Sequence, residues 1–200
     1  MTADGSSRSL FSIRGGYDLQ SDFEVRSVEL CDLEDECLES FDRYQTTRRT
    51  KVMNPDGDFV YADNAFIDDW DLKRKCEVVA ELRSCLRSGG FVAGAFLKGS
   101  LVGFASVENS FFGSDNQYLE MPLIHVTKDL RGNGIGRRLF ALCCDDAAKR
   151  GAGKLYISAH PSLETQAFYD SLGCVPACEI NEEIYAREPY DIQLEFSLDR

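Results

Sequence analysis

The 200-residue sequence lacks any run of eighteen apolar residues, so it predicts no membrane-spanning helix. Its opening, MTADGSSRSL, has no apolar core of the kind a secretory leader carries, and the expectation is a cytoplasmic protein. Positive charge is also short. Lysine and arginine number 22 against 34 acidic residues, for a net charge of −12. That balance argues against broad binding to nucleic acid or to an anionic membrane, and it mildly favours cationic ligands. Cys174 and Cys178 have loose metal-like spacing but no second cysteine or histidine pair nearby. Structural zinc needs four clustered ligands, so no metal is expected. Cys31, Cys37, Cys76 and Cys85 fall in helix-like patterns and Cys143 and Cys144 in another, which reads as buried thiols rather than disulfides. Internal repeats and low-complexity tracts are absent.

The length suits one domain, with residues 1–20 as a flexible polar lead-in and 21–200 as the folded unit. Phe23 to Val28 alternates as a first strand. Asp32 offers an N-cap to a helix carrying Leu33, Cys37, Phe41 and Tyr44. From Gln45 to Trp70 the periodicity fails, and an irregular segment with an NPDG turn at Asn54 to Gly57 is expected. Leu72, Cys76, Val79 and Leu86 mark a helix closed by Gly89 and Gly90. FVAGAFL and LVGFASVE read as a hairpin, and Phe111 to Gly113 opens a loop. One strand is expected from Tyr118 to Val126, then a helix with Ile135, Leu139, Leu142, Cys143 and Ala147 on one face. After it come strand KLYISA, a helix capped by Ser162 and ended by Gly173, and two strands at Cys174 to Ile180 and Asp191 to Leu198. This order predicts a mixed α/β sheet with helices on both faces.

The most informative stretch is LIHVTKDLRGNGIGRRLF, Leu123 to Phe140. A strand feeding a glycine-rich turn at a helix N-terminus presents open N–H groups and a positive dipole end to an anion. A P-loop would need G-x-x-x-x-G-K, which is absent. A dinucleotide turn needs a third glycine where Arg137 stands. Arg131-Gly132-Asn133-Gly134-Ile135-Gly136 instead resembles the Q/R-x-x-G-x-G/A pattern of the GCN5-related N-acetyltransferases (GNAT). SLETQAFYDSLG, Ser162 to Gly173, is similar to that family's helix with F-Y before a terminal L-G, and the element order agrees from Phe23 to Leu198. Ser162 stands where the family often has Asn, and Thr165 where Ala is common.

The resemblance implies a GNAT fold: a mostly antiparallel sheet of about seven strands whose fourth and fifth strands splay into a V that receives acetyl-CoA. It implies that the backbone of Ile124, His125 and Val126 pairs with the pantetheine arm. N–H groups from Arg131 through Gly132, Asn133, Gly134, Ile135 and Gly136 to Arg137 would cradle the pyrophosphate, with the Arg137 or Arg138 side chain reaching a further phosphate. Ser162, Thr165 and Tyr169 would complete the cofactor site.

Acetyl transfer needs a neutral amine, a polarised carbonyl and a protonated leaving thiolate. Val126 N–H is expected to polarise the carbonyl. Tyr169 matches the family tyrosine that protonates the sulfur, and Glu120 resembles a strand glutamate used as base. Period-two alternation places Glu120 on the face of Ile124 and Val126 and turns His125 away, as a structural residue. His160 sits at the cleft mouth with no assigned role, and direct transfer needs no nucleophile at Cys174. The acceptor is expected to be an amine of a small molecule. A protein lysine or N-terminus is the alternative, and a non-catalytic acyl-CoA sensor the alternative of another class. Trp70, Tyr61, Phe66, Asp68, Asp69, Glu182, Glu183, Glu188 and Tyr190 would flank the acceptor. A homodimer is kept open.

Overall fold

The computed structural model describes residues 23–54, 56 and 58–198. The lead-in expected over residues 1–20 lies outside these, as do Pro55 and Gly57 of the NPDG turn. Among the described residues no helix is long and apolar enough to cross a membrane.

Strand β1 (Phe23–Ser27) is followed by a three-residue helical turn at Leu30–Asp32 and further turns, where a helix was expected. Leu33 and Phe41 are buried as their spacing demanded, while Cys37 and Tyr44 are only half-buried and Leu38 goes inside instead, because the backbone closes every third residue, as in Cys37 N–H to Glu34 and Phe41 N–H to Leu38. Side chains of a later helix take carbonyls that an α-helix would use itself. Arg83 Nε donates to Leu33 O at 2.7 Å and Lys75 Nζ to Glu39 O at 2.8 Å. The segment read as irregular is a hairpin, β2 (Gln45–Met53) and β3 (Phe59–Asp68), with a bulge between Thr47 and Arg49.

Helix α1 (Leu72–Arg87) forms as expected, with Asp71 capping it and Val78, Val79 and Leu82 buried. β4 (Phe91–Leu97) and β5 (Ser100–Val107) make the expected hairpin. Phe111 and Phe112, read as a loop, form the short strand β6 (Phe111–Phe112). The single strand expected over residues 118–126 is two, β7 (Tyr118–Glu120) and β8 (Leu123–Val126). Then come α2 (Ile135–Lys149), β9 (Lys154–Ala159) and α3 (Leu163–Leu172), all near their expected bounds. The strand read at 174–180 shrinks to β10 (Val175–Pro176), and an unforeseen helix α4 (Glu182–Arg187), capped by Asn181, precedes β11 (Ile192–Ser197).

Among the described residues eleven strands fall into a four-stranded sheet β1-β4-β5-β8, a five-stranded sheet β10-β11-β9-β7-β6, and the β2-β3 hairpin. Of these described strands only β7 and β9 run parallel. Helix α2 packs Ile135, Leu139, Cys143 and Ala147 against Ala93, Ala105, Leu119 and Ile157 on one face. Helix α1 packs against Val92, Phe96 and Phe104 on the other. Buried thiols are limited to Cys85, Cys143 and Cys174; Cys31 and Cys76 are exposed, contrary to the sequence reading, because the turn and helix face they occupy look outward, and Cys178 is exposed as well.

Candidate active site

The V begins where the expected single strand breaks. β7 runs beside β9 until Met121 N–H reaches Tyr156 O at 2.9 Å, and Pro122 follows with no N–H to continue the ladder. β8 then leaves β9 and, among the described residues, pairs only with β5. The break also shifts the alternation by one residue. Leu119 and Met121 face the α2 core, and so do Ile124 and Val126, whereas Leu123 faces the α1 core. Glu120 therefore shares its face with Leu123 and His125, not with Ile124 and Val126 as strict alternation required.

His125 is enclosed by Trp70 at 4.8 Å and Phe104 at 5.6 Å between ring centres. Burial, with Arg43, Arg131 and Arg74 nearby, pushes its pKa well below the usual imidazole value, so it stays neutral and packed. Along β8, Thr127 N–H bonds Val102 O at 2.9 Å. Alternate residues of an antiparallel strand bond the same neighbour, so His125 pairs with β5 while the backbone groups of Ile124 and Val126 face the opening. Val126 O is taken by Arg131 Nε at 2.9 Å. Val126 N–H and both backbone groups of Ile124 remain on the open edge.

Arg131 is a staple. Besides Val126 it donates to Tyr44 O at 3.0 Å and Arg43 O at 2.9 Å, and its own N–H bonds Lys128 O. It is therefore removed from the expected row of open N–H groups. Gly132 and Gly134 both sit at φ +80°, a conformation that costs a side-chain-bearing residue about 1–2 kcal/mol. Asn133 Nδ2 ties the turn to Leu130 O at 3.1 Å. Helix α2 starts after Gly134 with no side-chain cap, and Arg138 N–H makes the first closing bond, to Gly134 O. The N–H groups of Ile135, Gly136 and Arg137 thus lie open at the positive end of a 15-residue helix. Gly136 serves packing, since a Cβ there would lie 3.1 Å from the Phe168 ring. Arg137 Nη2 reaches Ser171 O and Oγ, both at 3.2 Å, and Arg138 lies over the Phe23 ring.

Ser162 and Thr165 hold α3 in place. Ser162 Oγ accepts from Thr165 N–H at 3.3 Å and from Gln45 Nε2 at 3.2 Å, and donates to Thr165 Oγ1 at 2.9 Å. With Ser162 fully buried, the pair is committed to the cap and to the hairpin. Tyr169 joins the apolar cluster that contains Ile124 and Val126, and its hydroxyl has no hydrogen-bond partner among the described residues. Burial, followed by nearby Cys174 and Asp191, raises its pKa far above the ordinary phenol value, so it is protonated throughout the physiological range.

The β2-β3 hairpin straps the wide end of the V. Just before the hairpin, Lys128 N–H bonds Asp42 O and Asp42 N–H bonds Thr127 Oγ1 at the exit of β8. Lys51 N–H bonds Pro161 O at 2.7 Å, and Thr50 pairs with Ser162, at the exit of β9. The hairpin brings Phe66 to 5.5 Å from the His160 ring and Asp68 to 2.6 Å from the buried Arg43. His160 Nδ1 accepts from Ser162 N–H, and burial lowers its pKa.

Acidic groups gather on the far side. Glu120 pairs with Arg187 of α4 at 2.5 Å, yet burial still raises its pKa. Asp191, at the entry to β11, is partly buried, and burial with Glu188 beside it pushes its pKa up to about 7. The charge of Glu188 adds to the proton affinity of Glu120, His160, Tyr169 and Asp191 alike. Sequence reasoning passed over Asp191. The available signal was an acid directly before a strand, Ile192 to Leu194, that is wholly buried. Tyr61 and Tyr190 are exposed, so of the expected acceptor aromatics Trp70 and Phe66 are the ones drawn inward. A groove of about 760 Å³ lined by Glu24, Glu34 and Glu39 lies apart from all these residues.

A profile of the acetyltransferase (GNAT) family matches residues 53–174. No curated protein matches. Among solved structures, a nourseothricin acetyltransferase superposes over 90% of this chain and 100% of its own, at TM-score 0.65 and 19% identity. A candidate streptothricin acetyltransferase from Bacillus anthracis str. Ames, solved with acetyl coenzyme A, does so over 88% and 99%, at TM-score 0.65 and 16% identity. The PaiA N-acetyltransferase of Thermoplasma acidophilum, solved with coenzyme A, reaches TM-score 0.55 at 13% identity over 88% and 99%. With the profile spanning more than half of its length, and with a sheet that splays where that fold splays, the chain belongs to the acetyltransferase (GNAT) family.

Proposed function

We propose that the protein transfers the acetyl group of acetyl-CoA directly to a primary amine of a small molecule. One observation carries the reading. An open backbone edge at Ile124 and Val126 runs straight into a turn whose next free donors are the N–H groups at the head of α2. The edge suits an amide-bearing arm, and the helix end suits a pyrophosphate. The residues present therefore fit acetyl-CoA, which when bound supplies the activated acetyl thioester. Gly132 and Gly134 let the backbone come close, and Ile135, Gly136 and Arg137 donate. Val126 N–H polarises the carbonyl oxygen, and Tyr169, held neutral by its burial, gives its proton to the departing sulfur. Arg131, Ser162 and Thr165 act indirectly, by fixing the walls.

A small amine is supported by the net charge of −12 and by acids and aromatics at the strapped end of the V. Structures that share the fold over nine-tenths of this chain carry names of amine-bearing antibiotics, nourseothricin and streptothricin. Thiol release from acetyl-CoA would be followed with nourseothricin, an aminoglycoside, alkyl diamines and a lysine-bearing peptide. Turnover with a small amine and not the peptide is expected. Peptide turnover alone transfers the reading to protein acetylation, and cofactor binding without turnover on any amine replaces it with a sensor.

A further inference from the structure

We propose that Asp191 is the base that takes the proton from the acceptor's ammonium group, while Glu120 holds α4 over the site through Arg187. The proposal rests on the acetyltransferase reading above and names the group that reading leaves open.

Position comes first. Ile192 lies opposite Ala159 in the β11–β9 ladder, so Asp191 sits next to His160 at the wide end of the V. Its backbone is fixed, with its N–H on Glu188 O at 3.0 Å and its carbonyl accepting from Gln193 Nε2 at 3.3 Å. Residues of the same parity, Gln193 and Glu195, point away from the α2 core toward Ser158 and Tyr118, and this is also the Glu120 face.

Pairing separates the candidates. Asp68 is bound to Arg43 and Glu120 to Arg187. Asp191 is partly buried, yet its carboxylate has neither a cation nor a donor among the described residues. A carboxylate removed from water with no partner is costly, and an ammonium ion is the partner it lacks. The groups around it are Glu188 on its own loop, Tyr169 from α3 and His160 beyond β9, and the histidine is kept neutral by burial. None of them is a cation at neutral pH. At Glu120 the Arg187 guanidinium stabilises the ionised carboxylate, which offsets part of the rise that burial gives, and it occupies the carboxylate and repels a second positive charge. Burial with Glu188 alongside raises Asp191 to about 7, where a base is most effective at physiological pH.

The step balances. The ammonium N–H bond breaks and its proton goes to the Asp191 carboxylate. The freed lone pair forms the C–N bond as the thioester C–S bond breaks. The sulfur takes the Tyr169 proton, and the second amine proton returns to the tyrosine oxygen. Asp191 then releases its proton to water, so one proton leaves per turnover.

The test compares Asp191→Asn, Glu120→Gln and the unmodified chain, with kcat/KM measured from pH 5.5 to 9.5. One acceptor is the alkyl diamine or nourseothricin of the screen; the other is hydroxylamine, which is already neutral near pH 7. In the unmodified chain kcat/KM should rise to a plateau through about pH 7. Asp191→Asn should lose about 100-fold at pH 7 with the alkylamine, climb about tenfold per pH unit with its neutral fraction, and be nearly spared with hydroxylamine. Glu120→Gln should keep the limb near pH 7. Equal losses on both acceptors, or a limb that survives Asp191→Asn and vanishes with Glu120→Gln, overturns the assignment. If the unmodified chain acetylates none of the amines, the acetyltransferase reading itself fails, and the base with it.

Discussion

Replacing Asp191 with asparagine should make the fold more stable at pH 8 and leave it nearly unchanged at pH 4, in the absence of any ligand. The side chain titrates near 3.8 when exposed and near 7 in the folded protein. Its folded pKa is raised, so the native state holds the proton more tightly than the unfolded chain does. Stability is therefore full below about pH 4, falls as pH rises between about 4 and 7, and stays reduced above that window. A gap of about three pH units corresponds to a ceiling of ~4 kcal/mol. Because the carboxyl retains some solvent contact, screening brings the expected penalty to roughly 2 kcal/mol. Asparagine carries no titrating proton and escapes the penalty. For a chain of this length roughly 2 kcal/mol is about 4–8 °C in Tm. Thermal unfolding of both proteins at pH 4, 6 and 8 measures it as a difference of differences, so acid effects from Asp32 and Glu195, both held near 2, cancel. A variant offset by the same amount at every pH would show that Asp191 is not buried and unpaired, and the case for it as a base would go with that.

Tyr169→Phe should lower kcat by at least about tenfold while acetyl-CoA still raises Tm; unchanged turnover removes the hydroxyl from the chemistry. Acetyl-CoA itself should raise Tm where ATP and NAD do not. Gly134→Ala and Gly136→Ala should separate two uses of glycine. The first meets open space and suffers only from φ +80°, about 1 kcal/mol in stability, with weaker acetyl-CoA binding as its main effect. The second drives a methyl against Phe168 and should cost about 1–3 kcal/mol by denaturant titration. Glu195→Gln should destabilise by about 1–3 kcal/mol at pH 7, since Tyr118, Lys154 and the Cys178 N–H converge on that carboxylate. Its folded pKa is depressed, so the difference from the unmodified chain should shrink as pH falls from 4.5 toward 2.

Helices α1, α2 and α3 were legible because each carries its own signals, an apolar stripe and a capping residue or closing glycine. The turn at Gly132 to Gly136 was legible for the same reason. What the sequence concealed depends on distant partners. QTTRRTKVM shows little alternation, β3 is exposed along most of its length, and the residues β2 buries are the polar Thr47 and Thr50, so the hairpin has no apolar face to announce it. Its register is set by Pro161 and Ser162, more than a hundred residues away. The apolar spacing from Leu33 to Tyr44 suggested a helix, but the competition for its carbonyls comes from Lys75 and Arg83. Pro122 could have been read, since proline inside a central strand argues for a break. Taking it so would have put Glu120 and His125 on one face from the start. Asp191 is the hardest case. Its environment is made by a loop and a helix, at Glu188 and Tyr169, that no local pattern connects to it.

The strap has a kinetic consequence. Its bonds join residues as far apart as Gln45 and Ser162, 117 positions along the chain, and their partners lie at the exits of two strands that must already be in place. Closing loops of that length early is entropically unfavourable, so docking of β2 and β3 belongs after the passage over the folding barrier. Weakening the Thr50 or Lys51 contacts would then hasten unfolding and leave the folding rate nearly untouched. The segment that closes the wide end of the V would be the last to arrive and the first to leave.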